Sequence, residues 1–203
     1  EGTTGLQIRD RLLGHGGVTL IEIDPVKRKD TSERRRLLNE ADIAFLCLPD
    51  AAAKESAALV TSDHTRLIDA STAHRIEPSW VYGLPELNKA QRARIRGARR
   101  VANVGCHAAG FILLMHPLVA AGVVPKHYPV TCHSLTGYSG GGKKMIATYE
   151  EPGRLRFPIG VPRHYALGMS HKHLPEMQKY GGLEFAPAFN PIVGDFYKGM
   201  AVV

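Results

Sequence analysis

The chain has 203 residues, 44% hydrophobic and 22% charged, with a formal net charge of +7. These fractions are ordinary for a globular protein, and no apolar run is long enough to span a bilayer or open a secretory signal. Three widely spaced cysteines make neither a zinc pattern nor a disulfide scaffold, which points to reduced thiols in the cytoplasm and no metal site. The basic residues at 27–29, 34–36 and 92–100 mix with acids and lack interleaved aromatics. They read as solvated faces that attract a small anion, not as a nucleic-acid interface.

Taken in chain order, Gly2-Thr3-Thr4-Gly5-Leu6 enters an amphipathic helix, and residues 18–23 read as a strand ending at Asp24. A helix is expected over 32–40, a fully buried strand over 43–48, a helix over 51–60 and a short strand over 66–69. A helix over 89–97 and a strand over 99–104 follow. Gly105-Cys106-His107 is a tight transition into an apolar helix over 108–121. Beyond it the texture changes: an antiparallel strand over 130–136, a flexible loop over 137–142, three prolines within 151–163 and a strand just begun at 200–203. The fold class is α/β, with a Rossmann-like parallel sheet domain over 1–105 and a partial α+β substrate and dimerisation domain over 106–203. A doubly wound domain should open with a strand before its glycine turn, so both ends read as cut, the first strand and a C-terminal part being absent.

Several groups carry chemistry. Two glycines three apart at a helix start (Gly2 and Gly5, with Thr3, Thr4 and Leu6) suit a pyrophosphate, because helix N-terminal amides face an anion. Asp24 is placed for a ribose hydroxyl, and Lys27 with Arg28 for a 2′-phosphate; a plain turn is the other reading of Asp24-Pro25. Cys106 opens the apolar helix, where the helix dipole favours thiolate and the backbone amides can hold an oxyanion. Cys47 lies within an apolar run and Cys132 within a strand, so both read as packing residues. His171 and His173, two apart and followed by Glu176, can supply an acid–base pair and the group that orients it. Ser139 and Gly140 lie in a small-residue loop suited to phosphate, as does Arg75 after the 66–69 strand.

In this order the motifs resemble the N-acetyl-gamma-glutamyl-phosphate reductases, NADPH-dependent enzymes of arginine biosynthesis, in their shorter bacterial form. The matching pieces are Gly2-Thr3-Thr4-Gly5-Leu6, Asp69 with Ser71 and Arg75, Gly83-Leu84-Pro85-Glu86-Leu87, Asn103 with Gly105-Cys106, Ser139-Gly140, His171 to Glu176, and Phe189-Asn190-Pro191. The resemblance implies a homo-oligomer that reduces an acyl phosphate to an aldehyde with NADP(H). Cys106 would be the nucleophile that carries the acyl group as a thioester, with His171 and His173 as the acid–base pair. Gly2 to Leu6, Ser71 and Asn103 would lie along the cofactor, and Arg75, Ser139, Gly140 and Glu176 on the substrate. The chain departs from the pattern at Val104 (usually Pro), His107 (usually Tyr) and Lys172 (usually Arg). A sister reductase of aspartyl or aminoadipyl phosphate, and a non-catalytic nucleotide- or nucleic-acid-binding module, are the alternatives.

Overall fold

Residues 3–154 and 156–203 are described by a computed structural model, in which the chain forms two compact units, Glu1–Val104 and Gly105–Val203. The first contains α1 (Thr3–Leu13), α2 (Thr31–Glu40), β1 (Ile43–Leu46), α3 (Asp50–Ala58), β2 (Arg66–Asp69), β3 (Val81–Tyr82), α4 (Gln91–Gly97) and β4 (Arg100–Ala102). Its four strands are all parallel, in the order β1-β2-β4-β3. Leu46, Leu67 and Ala102 bury one face of this sheet against Ala57 and Trp80. Asp30 fixes the start of α2, its carboxylate accepting the amides of Ser32 and Glu33, two of the donors a helix start leaves unpaired.

Two expectations for this unit need correction. Residues 18–23 form no strand: an apolar run becomes one only where a neighbour takes its backbone groups, and none does so among the described residues. The strand expected to be fully buried over 43–48 is shorter and half open, with Ile43 49% exposed, because among the described residues β1 is an edge that pairs with β2 alone.

The second unit contains α5 (Cys106–Ala120), β5 (Thr131–Gly137), a 3-10 turn (Tyr138–Gly141), α6 (Gly142–Glu150), α7 (Arg156–Ile159), β6 (Arg163–His164), α8 (Leu174–Gly181), β7 (Ala188–Gly194) and β8 (Met200–Val202). Its sheet runs β6-β7-β5-β8. The expected antiparallel character of β5 is half right: it pairs antiparallel with β8 but parallel with β7. Inward Cys132, Ser134 and Thr136 give the same alternation whichever way the neighbour runs. The expected flexible loop at 137–142 is instead the 3-10 turn leading into α6, with Gly142 at φ +73. Among the described residues no helix is long and apolar enough to cross a membrane.

Candidate active site around Cys106

Cys106 is the first residue of α5 and is exposed, at the head of a 15-residue helix whose amides point toward it. The turn before it is braced from a distant part of the chain. The Gly105 amide donates to Glu176 Oε2 at 3.2 Å, and Glu176, on α8, is 1% exposed. Glu176 was expected on the substrate. It is buried with the Gly105 amide as a partner: a buried carboxylate needs donors, and that amide, at a helix start, needs an acceptor.

Five aromatic rings gather beside this turn among the described residues, those of His107, Tyr165, His171, His173 and Phe189. His107, the buried second residue of α5, lies with its ring 5.6 Å from both His171 and His173 and 5.3 Å from Phe189 on β7. Its Nδ1 meets Ser134 Oγ of β5 at 2.7 Å and its Nε2 meets the Tyr165 hydroxyl at 2.8 Å. Burial, helped by His171, pushes the His107 imidazole down to about 4, so the ring is neutral at ordinary pH. Burial, and then the charge of the nearby Cys106 sulfur, push the Tyr165 phenol up to about 12.

His171 is half-buried, and its Nδ1 lies 3.2 Å from the backbone N–H of His173. A backbone N–H only donates, so Nδ1 is an acceptor and the neutral ring carries its proton on Nε2. Desolvation, and then Lys172, lower the basicity of this ring. His173 itself is buried at the start of α8.

The other thiols have different surroundings. Cys132 is fully buried and burial pushes it up to about 11. Cys47, expected in the core, is half-buried just beyond the end of β1; burial and then Asp69 raise it. Ser139 and Gly140 sit in the 3-10 turn at the carboxyl end of β5, the Ser139 amide donating to the Tyr197 carbonyl.

The remaining candidates lie in the first unit. Strand register sets Leu46, Asp69 and Ala102 side by side, so Cys47, Ala70-Ser71 and Asn103 leave the sheet at one carboxyl edge. A Cβ on Gly5 would stand 3.6 Å from Cys47 Cβ, which puts the first turn of α1 over that edge. A helix start above the carboxyl ends of parallel strands fits a dinucleotide. Gly2 lies outside the described residues; Thr3, Thr4 and Leu6 lie in the first turns of α1.

Ser71 is buried, its hydroxyl donating to Asp69 at 2.7 Å and accepting the Ala73 amide. Arg75, expected to grip phosphate, is instead 7% exposed and donates to the carbonyls of Asn103 and Ala70, joining the ends of β4 and β2. Carbonyls leaving a parallel sheet need donors, and the guanidinium fork supplies them. Asp24 opens a turn, accepting the Val26 amide at 2.9 Å, and Lys27 is exposed within it. Sequence reasoning missed His107 and Tyr165 as members of the cluster. The first was noticed only as a departure from pattern, and the second sits in a proline-rich stretch without periodicity.

A family model described as the semialdehyde dehydrogenase NAD binding domain matches residues 7–95, and one described as the semialdehyde dehydrogenase dimerisation domain matches 106–203. The chain belongs to the semialdehyde dehydrogenase family. Within that family it is 49% identical over 206 residues to an N-acetyl-gamma-glutamyl-phosphate reductase of Sinorhizobium medicae, with 100% of this chain and 66% of the relative covered. It is 51% identical over 200 residues to the protein of the same name from a Chelativorans species, covering 98% and 64%. The chain thus spans about two thirds of the length of these curated relatives. Among solved semialdehyde dehydrogenases, the fold is similar to aspartate semialdehyde dehydrogenase II of Vibrio cholerae, with a TM-score of 0.59 at 16% identity over 88% of this chain and 57% of that one. It is also similar to the Francisella tularensis aspartate semialdehyde dehydrogenase, at 0.59 and 12% identity over 99% and 72%.

Proposed function

We propose that the protein containing this chain reduces N-acetyl-gamma-glutamyl phosphate to the semialdehyde with NADPH, releasing inorganic phosphate, through a thioester on Cys106. The observation that carries this reading is an exposed thiol at the head of α5, backed by a largely buried cluster of histidines and a tyrosine. The names of relatives at 49–51% identity support this acyl group over the aspartyl one.

The Cys106 thiolate attacks the acyl carbonyl; the C–S bond forms, the bond to the phosphate oxygen breaks and phosphate leaves. NADPH, which the residues at the carboxyl edge of the first sheet would hold, would supply the hydride. On the enzyme the reduced adduct is a tetrahedral alkoxide attached to Cys106. It collapses to the aldehyde as the C–S bond breaks and the thiolate returns. Because Nδ1 of His171 is engaged by the His173 amide, His171 serves as an Nε2–H donor to the oxygen of these adducts. Proton exchange at Nδ1 requires that hydrogen bond to open, which narrows the expected acid–base role. Gly105 and the helix start steady the sulfur.

In the first unit, the α1 start and the edge residues Ser71 and Asn103 hold the dinucleotide, with Lys27 beside its 2′-phosphate. The second unit carries the subunit contacts of a homo-oligomer in the cytoplasm. The test is phosphate-dependent reduction of NADP by the intact protein, comparing N-acetylglutamate semialdehyde with aspartate semialdehyde. A higher kcat/KM for the acetylated aldehyde supports the reading, and preference for aspartate semialdehyde transfers the activity to that substrate.

A further inference from the structure

The hydrogen bonds around His107 fix more than the ring. Ser134 is fully buried, and among the described residues its hydroxyl meets His107 Nδ1 alone. A buried hydroxyl whose proton finds no acceptor is costly, so Ser134 donates to Nδ1, and the ring proton then lies on Nε2. The Nε2–H donates in turn to the Tyr165 oxygen at 2.8 Å. With that lone pair occupied, the phenolic proton of Tyr165 must point to a third group. The groups around the ring are His171, His173 and Phe189, none of which bears a negative charge, and the ring follows Cys106 in the chain. His107 is neutral at ordinary pH, so the Ser134 proton sets the direction of the chain Ser134 to His107 to Tyr165. The raised phenol keeps its proton throughout the working range.

We propose that Tyr165 donates a hydrogen bond to the carbonyl oxygen of the acyl group as Cys106 attacks it, and that His107 is the positioning residue that turns the Tyr165 hydroxyl outward. This rests on Cys106 being the acylated nucleophile. In the acylation step the C–S bond forms, the C–O bond to phosphate breaks and phosphate leaves with its electron pair, while charge on the carbonyl oxygen rises and falls. A second donor beside His171 acts at that moment. His107 is thus not a neutral replacement for the aromatic residue usual at this position; it recruits a residue from the chain next to β6.

The test uses the intact protein and acetyl phosphate as a general acyl donor, with acylation of Cys106 followed by mass spectrometry in the absence of NADPH. Tyr165→Phe should acylate about 10²-fold more slowly, the range for loss of one oxyanion donor. Iodoacetamide, whose reaction develops no carbonyl oxyanion, should label Cys106 in that variant at the wild-type rate, which shows the site to be folded. His107→Gln places an amide near the Nε2 position and should stay within a few-fold of wild type. His107→Asn reaches Ser134 only and should fall as Tyr165→Phe does, and the double variant should be no slower than Tyr165→Phe. Equal acylation by wild type and Tyr165→Phe, or fully multiplicative losses in the double variant, overturns the proposal while leaving Cys106 as the nucleophile. A wild type that acetyl phosphate does not label at Cys106 overturns both.

Discussion

At the scale of single residues, three thiols in one chain have three different environments. Iodoacetamide near neutral pH should modify the exposed Cys106 first. Cys132, fully buried and held at about 11, and Cys47, raised by burial and by Asp69, should follow slowly. Peptide mapping after brief alkylation checks the order, and faster labelling of Cys47 would contradict it. His107 gives a second prediction. Its folded value of about 4 lies below the ordinary 6.5, so between these values the unfolded chain binds the extra proton. The contribution is fully present above about 6.5 and is lost as pH falls from there toward 4, on the order of 3 kcal/mol at most. Urea midpoints should therefore decline across that window in wild type and decline less in His107→Gln. That Cys106 lies at a helix start, and that His171 and His173 come as a close pair, was legible from residue type and spacing. Which hydrogen-bond partners Glu176 and Arg75 take was not, since a carboxylate or guanidinium looks the same in sequence whether it meets substrate or backbone.

At the scale of elements, α5 rests on β8 through a position that admits no side chain. A Cβ on Gly110 would lie 2.6 Å from Val202 Cγ2. Gly110→Ala should cost about 1–3 kcal/mol by overpacking, although alanine returns roughly 1 kcal/mol of helix propensity. In a Val202→Ala background the 2.6 Å contact is gone and only the Cβ at 3.0 Å remains, so the same change should cost less than in wild type; paired denaturation curves read this difference. Helices α2, α3 and α5 were legible because caps, alanine content and apolar runs are local signals. Pairing is not local. Residues 18–23 have the composition of a strand without a ladder, and alternation along β5 could not tell a parallel partner from an antiparallel one.

At the scale of the whole molecule, the chain carries a net charge of +7, and the substrate and cofactor proposed for it are both anions. The exposed Lys27, Arg28 and Lys29 lie in the turn opened by Asp24, so KM for NADPH should rise with ionic strength more steeply than KM for NADH. Replacing all three with glutamine should flatten the difference; equal salt slopes in the starting protein would remove the turn from cofactor selection. The Gly105 to Glu176 hydrogen bond joins positions 71 residues apart, and this affects the timing of synthesis. A growing chain exposes the sulfur well before α8 has left the ribosome, because a contact of such sequence separation closes late. Until then the nucleophile stands on an unbraced turn with no carboxylate behind it. The nascent polypeptide is therefore an ordinary thiol peptide until Glu176 has cleared the ribosome and reached the Gly105 amide.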